Sequence, residues 1–123
     1  NGHTDPFIQY THARIKSVLR KADVNFTGPA EQVELNSIEK ELLKCIYDFD
    51  MVVKEAGDSY SPALVANYVY ELTKLYNRFY HEFNILKEED QGLKKFRLQL
   101  SKTSAQVISN AMYLLGISVP ERM

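Results

Sequence analysis

A length of 123 residues with 45% hydrophobic side chains suits one domain around one ordinary core. Charged residues make up 25% of the chain and are interspersed, which argues against an intrinsically disordered segment. The net charge of −1 gives no overall signal for nucleic acid, and the single cysteine, Cys45, excludes a disulfide framework and a Cys-based zinc site.

In chain order, Asp5-Pro6 reads as a helix start, an N-cap carboxylate followed by proline at the first helical position. Ile8, Ile15, Val18, Leu19 and Ala22 then form an apolar stripe at helical spacing. The stretch Asn25-Phe26-Thr27-Gly28-Pro29 breaks that pattern as a loop. A second helix is predicted from Ser37, with Ile38, Leu42, Cys45, Ile46 and Phe49 on one side. Asp48 and Asp50 bend or interrupt it before Met51–Ala56, and Gly57 is expected to close it as a C-cap. Ser61-Pro62 repeats the cap-plus-proline start. The helix that follows, to about Phe83, carries a wide apolar face of the kind that marks the central helix of a bundle. Glu88, Glu89 and Asp90 suit the positive end of the last helix, which runs to Gly116 with an irregularity expected near Gly92. A short tail, 117–123, follows. No segment alternates as a strand, and there is no internal repeat. The expectation is an all-α, antiparallel bundle of four or five main helices, residues 1–123 forming a single domain.

No apolar run approaches the roughly 18 to 20 residues that a membrane helix needs. The chain starts at Asn1 without a methionine and shows no signal peptide, so it reads as an excised piece of a cytoplasmic protein. Its charge is unevenly spread. Residues 1–22 hold Arg14, Lys16, Arg20 and Lys21 against only Asp5, residues 23–60 are strongly acidic, and residues 61–123 are mildly basic. RNA contacts, if the chain makes them, are expected on the first and last helices. On charge alone, ordinary solvated faces are the favoured explanation.

No catalytic or metal constellation is legible. His3, His12 and His81 lack the spacing of a helical metal motif; His81-Glu82 supplies two letters of H-E-x-x-H, but Ile85 stands where the second histidine belongs. No G-x-S-x-G and no Gly-rich phosphate loop occurs. The unusual feature is eight Tyr and six Phe with no Trp. Phe7, Tyr10, Arg14, Ser17 and Lys21 fall at i, i+3, i+7, i+10 and i+14, a stripe rotated away from the Ile8/Ile15/Leu19 core face. Exposed tyrosine and arginine on one face offer an unpaired base a stacking surface and a planar donor. The competing reading is that Phe7 and Tyr10 pack on a neighbouring helix while Arg14 is merely solvated. On the central helix, Tyr76 and Tyr80 fall at the edge of the apolar face. Core-edge packing suits Tyr76, and Tyr80 stays open between the two roles.

Three blocks carry a family resemblance. Asp5-Pro6-Phe7-Ile8-Gln9-Tyr10-Thr11-His12-Ala13-Arg14-Ile15 resembles the arginyl-tRNA synthetase motif G-P-Y-x-Q-Y-x-H-x-R. Ala66–Leu72 and Asn77–His81 resemble that family's third long helix. Arg97–Leu100, Gln106–Met112 and Leu114–Ile117, ending on Pro120-Glu121-Arg122-Met123, are similar to its C-terminal segment. The resemblance covers nearly the whole chain, and its blocks are specific only together. It implies the C-terminal, helical anticodon-binding domain of a class I arginyl-tRNA synthetase, with Phe7, Tyr10, Arg14, Tyr80 and Met123 matching the anticodon pocket and Tyr76 remaining structural. It further implies the anticodon stem-loop of tRNA(Arg) as partner, with no DNA and no membrane. A separate catalytic domain of the same longer chain would use ATP and arginine. The HIGH-type and KMSK-type motifs are absent, so the piece itself is expected to have no catalytic residue, cofactor or metal. Two departures stand out: Asp5 replaces the motif's glycine and adds a carboxylate near the proposed RNA surface, and Phe7 replaces a tyrosine and loses a hydroxyl. Two alternatives remain: a helical module that docks a partner helix on its aromatic stripe, and the anticodon domain of a related class I enzyme such as those for cysteine or glycine. Steep weakening by salt separates RNA binding from an apolar groove. The Q-Y-x-H-x-R block and the E-R-M end argue against the related enzymes.

Overall fold

A computed structural model describes residues 4–29 and 32–117. Among the described residues five α-helices follow in chain order: α1 Thr4–Lys21, α2 Ser37–Tyr47, α3 Phe49–Asp58, α4 Pro62–Glu82 and α5 Gln91–Leu114, with a 3-10 turn at Ile85–Lys87 before α5. No strand occurs among the described residues. α4 is the centre of the bundle and packs against each of the other helices, and α1 also lies on α5.

The core follows the predicted stripes. Ile8, Ile15 and Val18 of α1 and Ile38 and Leu42 of α2 are buried, meeting Val69, Leu72 and Phe79 of α4 and Leu98, Ile108 and Met112 of α5. Each such side chain contributes about 1.5–3 kcal/mol on burial, so these faces hold the helices together. α2 starts with a capping box: Asn36 Oδ1 accepts from Glu39 N at 2.9 Å, and Glu39 Oε1 accepts from Asn36 N at 3.1 Å. Asp90 caps α5 by accepting from Leu93 N at 3.1 Å.

Four local expectations need correction. Thr4 is already helical, so Asp5 is a first-turn residue rather than the N-cap; its carboxylate still suits the positive helix end, and Pro6 lies where N–H groups have no intrahelical acceptor. Ser61 does precede Pro62, but its hydroxyl makes no capping bond. Gly57 lies inside α3, which closes later. Ser61 N donates to Ala56 O and Tyr60 N to Gly57 O, a Schellman pattern that puts Tyr60 at φ 51 where glycine is usual. α5 shows no irregularity at Gly92, because the glycine falls in a first turn secured by the Asp90 cap. The interruption expected at Asp48 is there, a single residue between α2 and α3. Gly116, at φ 80, ends α5 as expected: Gly116 N donates to Tyr113 O and Ile117 N to Met112 O.

One ionic cluster is built into the interior. The Arg97 side chain of α5 is 7% exposed; its Nε donates to Glu39 Oε2 at 2.9 Å and its Nη1 to Glu88 Oε1 at 3.0 Å. Its Cζ lies 4.2 Å from the Phe83 ring centroid. The same cluster thus ties the start of α2, the end of α4 and the lead-in to α5. Nearby, the buried Lys94 ammonium donates to exposed Asp23 at 2.7 Å, and that hydrogen bond and charge hold the Asp23 carboxyl below its ordinary pKa.

Candidate functional site

A cleft of about 480 Å³ opens between α1, the C-terminal part of α4 and the 3-10 turn. The helical repeat of α1 places Tyr10, Arg14, Ser17 and Lys21 along one wall, joined by Arg20, while Tyr80 and Leu86 form the opposite side. No carboxylate lines it among the described residues. Arg14 joins the two walls: its Cζ is 4.5 Å from the Tyr80 ring centroid and 5.0 Å from that of Tyr10. A guanidinium over a ring face is attracted by the ring's quadrupole and still keeps its in-plane N–H groups for other acceptors.

Behind Arg14 lies a polar relay. Arg14 Nη1 donates to Asn77 Oδ1 at 2.6 Å. Asn77 Nδ2 donates to Thr11 Oγ1 at 2.8 Å and to Thr73 O at 2.9 Å, and Thr11 Oγ1 donates to Phe7 O at 2.9 Å. Thr11, Thr73 and Asn77 are buried, whereas Tyr10 is 51% exposed and Arg14 and Tyr80 are half-buried. Beneath the cleft, Tyr76 is fully buried, with its hydroxyl 2.9 Å from Ser101 Oγ, and burial pushes its phenol well above the ordinary tyrosine pKa. Its ring supports that of Tyr80, their centroids 6.4 Å apart.

A half-exposed tyrosine pair, a bridging arginine and two further cations, with no acid among them, can stack a flat ring and accept a neighbouring phosphate. A model of the DALR anticodon binding domain family matches residues 8–123. The chain belongs to this family. An arginine–tRNA ligase of Parabacteroides distasonis is 54% identical to this DALR domain over all of the chain and 21% of that protein. The arginine–tRNA ligase of Flavobacterium psychrophilum is 52% identical over 99% of the chain and 20% of that protein. The domain therefore spans about a fifth of the length of the curated relatives it matches. Among solved structures, the arginyl-tRNA synthetase of Thermus thermophilus superposes with a TM-score of 0.81 at 30% identity, over 96% of this chain and 21% of that one. That of Plasmodium falciparum gives 0.84 at 25% identity, over 95% and 21%.

Within the DALR domain, Tyr10, Arg14 and Tyr80 of the expected site come together in one cleft. Phe7 does not join them. It lies one turn back on α1, edge-on to Tyr70 at 5.9 Å between centroids, and lines a more open groove with Lys74, Asn77, Arg78, His81 and the acidic Glu82. Met123 lies outside the described residues. Tyr76 is structural, as expected, but sits in the core rather than at its edge. The second wall of the cleft comes from α4 and the 3-10 turn, whereas the charge pattern had pointed to the first and last helices. Asn77 escaped notice as a site residue. The available signal was a polar side chain one turn beyond Thr73 on an otherwise apolar face. None of the helices among the described residues is long and apolar enough to cross a membrane.

Proposed function

We propose that this DALR domain holds the anticodon stem-loop of an arginine tRNA and reads an unstacked base in the cleft between α1 and α4. The observation that carries this reading is Arg14 laid over Tyr10 and Tyr80 in a cleft that also presents Arg20 and Lys21 and no carboxylate among the described residues. Tyr10 and Tyr80 supply stacking surfaces, each worth about 1–3 kcal/mol for a stacked base. Arg14 donates to the base edge or a phosphate, and Arg20 and Lys21 track the backbone. Phe7, in the adjoining groove, offers a ring to a neighbouring nucleotide. Met123, which lies outside the described residues, joins the proposed pocket.

The chain itself attaches no amino acid. It is the recognition part of a longer cytoplasmic arginine–tRNA ligase, whose catalytic domain uses ATP and arginine while this domain holds the tRNA in place. The similarity to named arginine–tRNA ligases over the full chain supports this assignment.

The test is binding to an arginine-tRNA anticodon stem-loop at low salt, by the parent chain and by Tyr10→Ala, Arg14→Ala, Tyr80→Ala and a chain lacking Met123. Changing the middle anticodon base is expected to weaken the parent, and to matter less to the variants. Binding is expected to fall as salt rises, with a slope of about −0.7 per phosphate contacted. Four variants that keep the fold, the affinity and the base preference would contradict the proposed pocket. Salt-independent binding would point to an apolar docking groove instead.

A further inference from the structure

We infer that Asn77 is the positioning residue of this cleft, its side-chain amide setting the plane of the Arg14 guanidinium and so which N–H groups of Arg14 face a bound base. The inference rests on the anticodon-reading function proposed above. Its basis is a hydrogen-bond relay that can run in only one sense. Thr11 Oγ1 donates its only proton to Phe7 O, so it meets Asn77 as an acceptor. Thr73 O is an acceptor by nature, so the Asn77 Nδ2 donors face Thr11 and Thr73. Oδ1 is then left to accept from Arg14 Nη1 at 2.6 Å. Turning the amide over would set donors against the guanidinium and an oxygen against Thr73 O. The neighbours therefore decide the orientation of the amide, and the amide decides that of Arg14.

The choice of a neutral side chain matters as much as its orientation. Another stacked arginine, Arg97, is held by the carboxylates of Glu39 and Glu88, which cancel its charge. An aspartate at position 77 would grip Arg14 at least as firmly but would place a negative charge behind a cleft meant for RNA. The asparagine fixes geometry and leaves the positive charge intact. Tyr10 and Tyr80 approach the guanidinium and Asn77 takes one in-plane donor, so Arg14 is ordered before RNA arrives. A side chain ordered in advance loses less freedom on binding, and its fixed donors discriminate between base edges.

The experiment pairs two readouts on the parent chain, Asn77→Ala and Asn77→Ser, with helical content checked by circular dichroism. Serine keeps a hydroxyl that can bond back to Thr73 O but is too short to reach Arg14, so the two variants remove the Arg14 contact with and without a side-chain bond to Thr73. The first readout is side-chain NMR of the arginine guanidinium without RNA. Arg14 is expected to be rigid in the parent and mobile in the variants, and an Arg14 that stays rigid in both variants overturns the inference regardless of RNA. The second is discrimination between the arginine-tRNA stem-loop and one with an altered middle base. Loss of Asn77 is expected to cut this ratio about tenfold, the scale of a hydrogen bond to a charged group. The salt slope should not change. In an Arg14→Ala background the same substitution should remove no further discrimination, because Asn77 acts through Arg14. Equal losses in both backgrounds would assign Asn77 a structural role and overturn the inference. A parent that discriminates alongside variants that discriminate equally well defeats this inference alone. A parent indifferent to the base defeats the proposed function itself.

Discussion

Arg97 and Arg14 both lay a guanidinium over an aromatic ring, at 4.2 Å from the Phe83 centroid and 4.5 Å from that of Tyr80. What surrounds them differs. Arg97 is buried, with one carboxylate on its Nε and another on its Nη1, so its charge is neutralised inside the fold. Arg14 is half-buried, and its hydrogen-bond partner is a neutral amide; among the described residues no carboxylate pairs with it. Stacking alone therefore does not separate a structural arginine from a binding one. Where the charge is compensated does. A cation neutralised internally joins elements of the fold, and one oriented without being neutralised remains available to an anionic partner.

The largest expected effect breaks the buried member of this pair. Arg97→Met leaves Glu39 charged and 1% exposed without its partner, and is predicted to cost about 3–5 kcal/mol in chemical denaturation. Arg14→Met, by contrast, should cost only about 1–2 kcal/mol, because the group it leaves unpaired, Asn77 Oδ1, is a neutral acceptor rather than a buried charge. If the two losses are equal, the comparison fails at its base.

The next effect concerns RNA. Arg14→Ala is predicted to remove about 1–3 kcal/mol of discrimination at the middle anticodon base, measured with matched and altered stem-loops. A milder contrast uses the two neighbouring tyrosines. Tyr76→Phe removes a buried hydroxyl that meets Ser101, and should lower stability by about 0.5–1.5 kcal/mol while leaving stem-loop affinity unchanged. Tyr80→Phe keeps the stacking ring, so it should leave stability near the parent's and retain most of the affinity. A large affinity loss from Tyr76→Phe would move the site inward.

Much of this arrangement was legible in the sequence because it follows local periodicity. The stripe Tyr10, Arg14, Ser17 and Lys21 is set by helical spacing alone, and it became one wall of the cleft. The proline start of α4 and the glycine end of α5 were legible for the same local reason. Other features depend on partners far along the chain. Asn77 meets Thr11 and Arg14, more than 60 residues away, and a polar residue on an apolar face does not announce whether it is buried. Arg97 entered the sequence analysis only as part of the block Arg97–Leu100, since neither Glu39 nor Glu88 is marked as its partner by spacing. Gly57 was misleading because glycine is only the usual residue for a left-handed helix end; α3 runs on to Asp58, and Tyr60 takes that conformation. Phe7 shares the stripe of Tyr10, but its ring meets Tyr70 of α4, a contact that no one-helix pattern contains.

The smallest expected effect concerns a buried cation whose partner carboxylate is exposed. Lys94 holds the Asp23 carboxyl below its ordinary pKa through a hydrogen bond and its charge. A lowered pKa in the folded state adds stability that is fully present above the ordinary carboxylate pKa and is lost as pH falls through the lowered value. Asp23→Asn should therefore be slightly less stable than the parent near neutral pH. The two melting temperatures should converge in acid below the carboxylate range, and a gap that persists there would assign the effect to packing.

The central claim, that Arg14 serves RNA while Arg97 serves the fold, is tested most directly by following both guanidinium groups by NMR while the chain is titrated with an arginine-tRNA anticodon stem-loop. The account predicts that the Arg14 resonances and the ring signals of Tyr10 and Tyr80 shift in step with binding, while those of Arg97 stay where they are. Saturable binding that leaves Arg14 and both rings unmoved would contradict it.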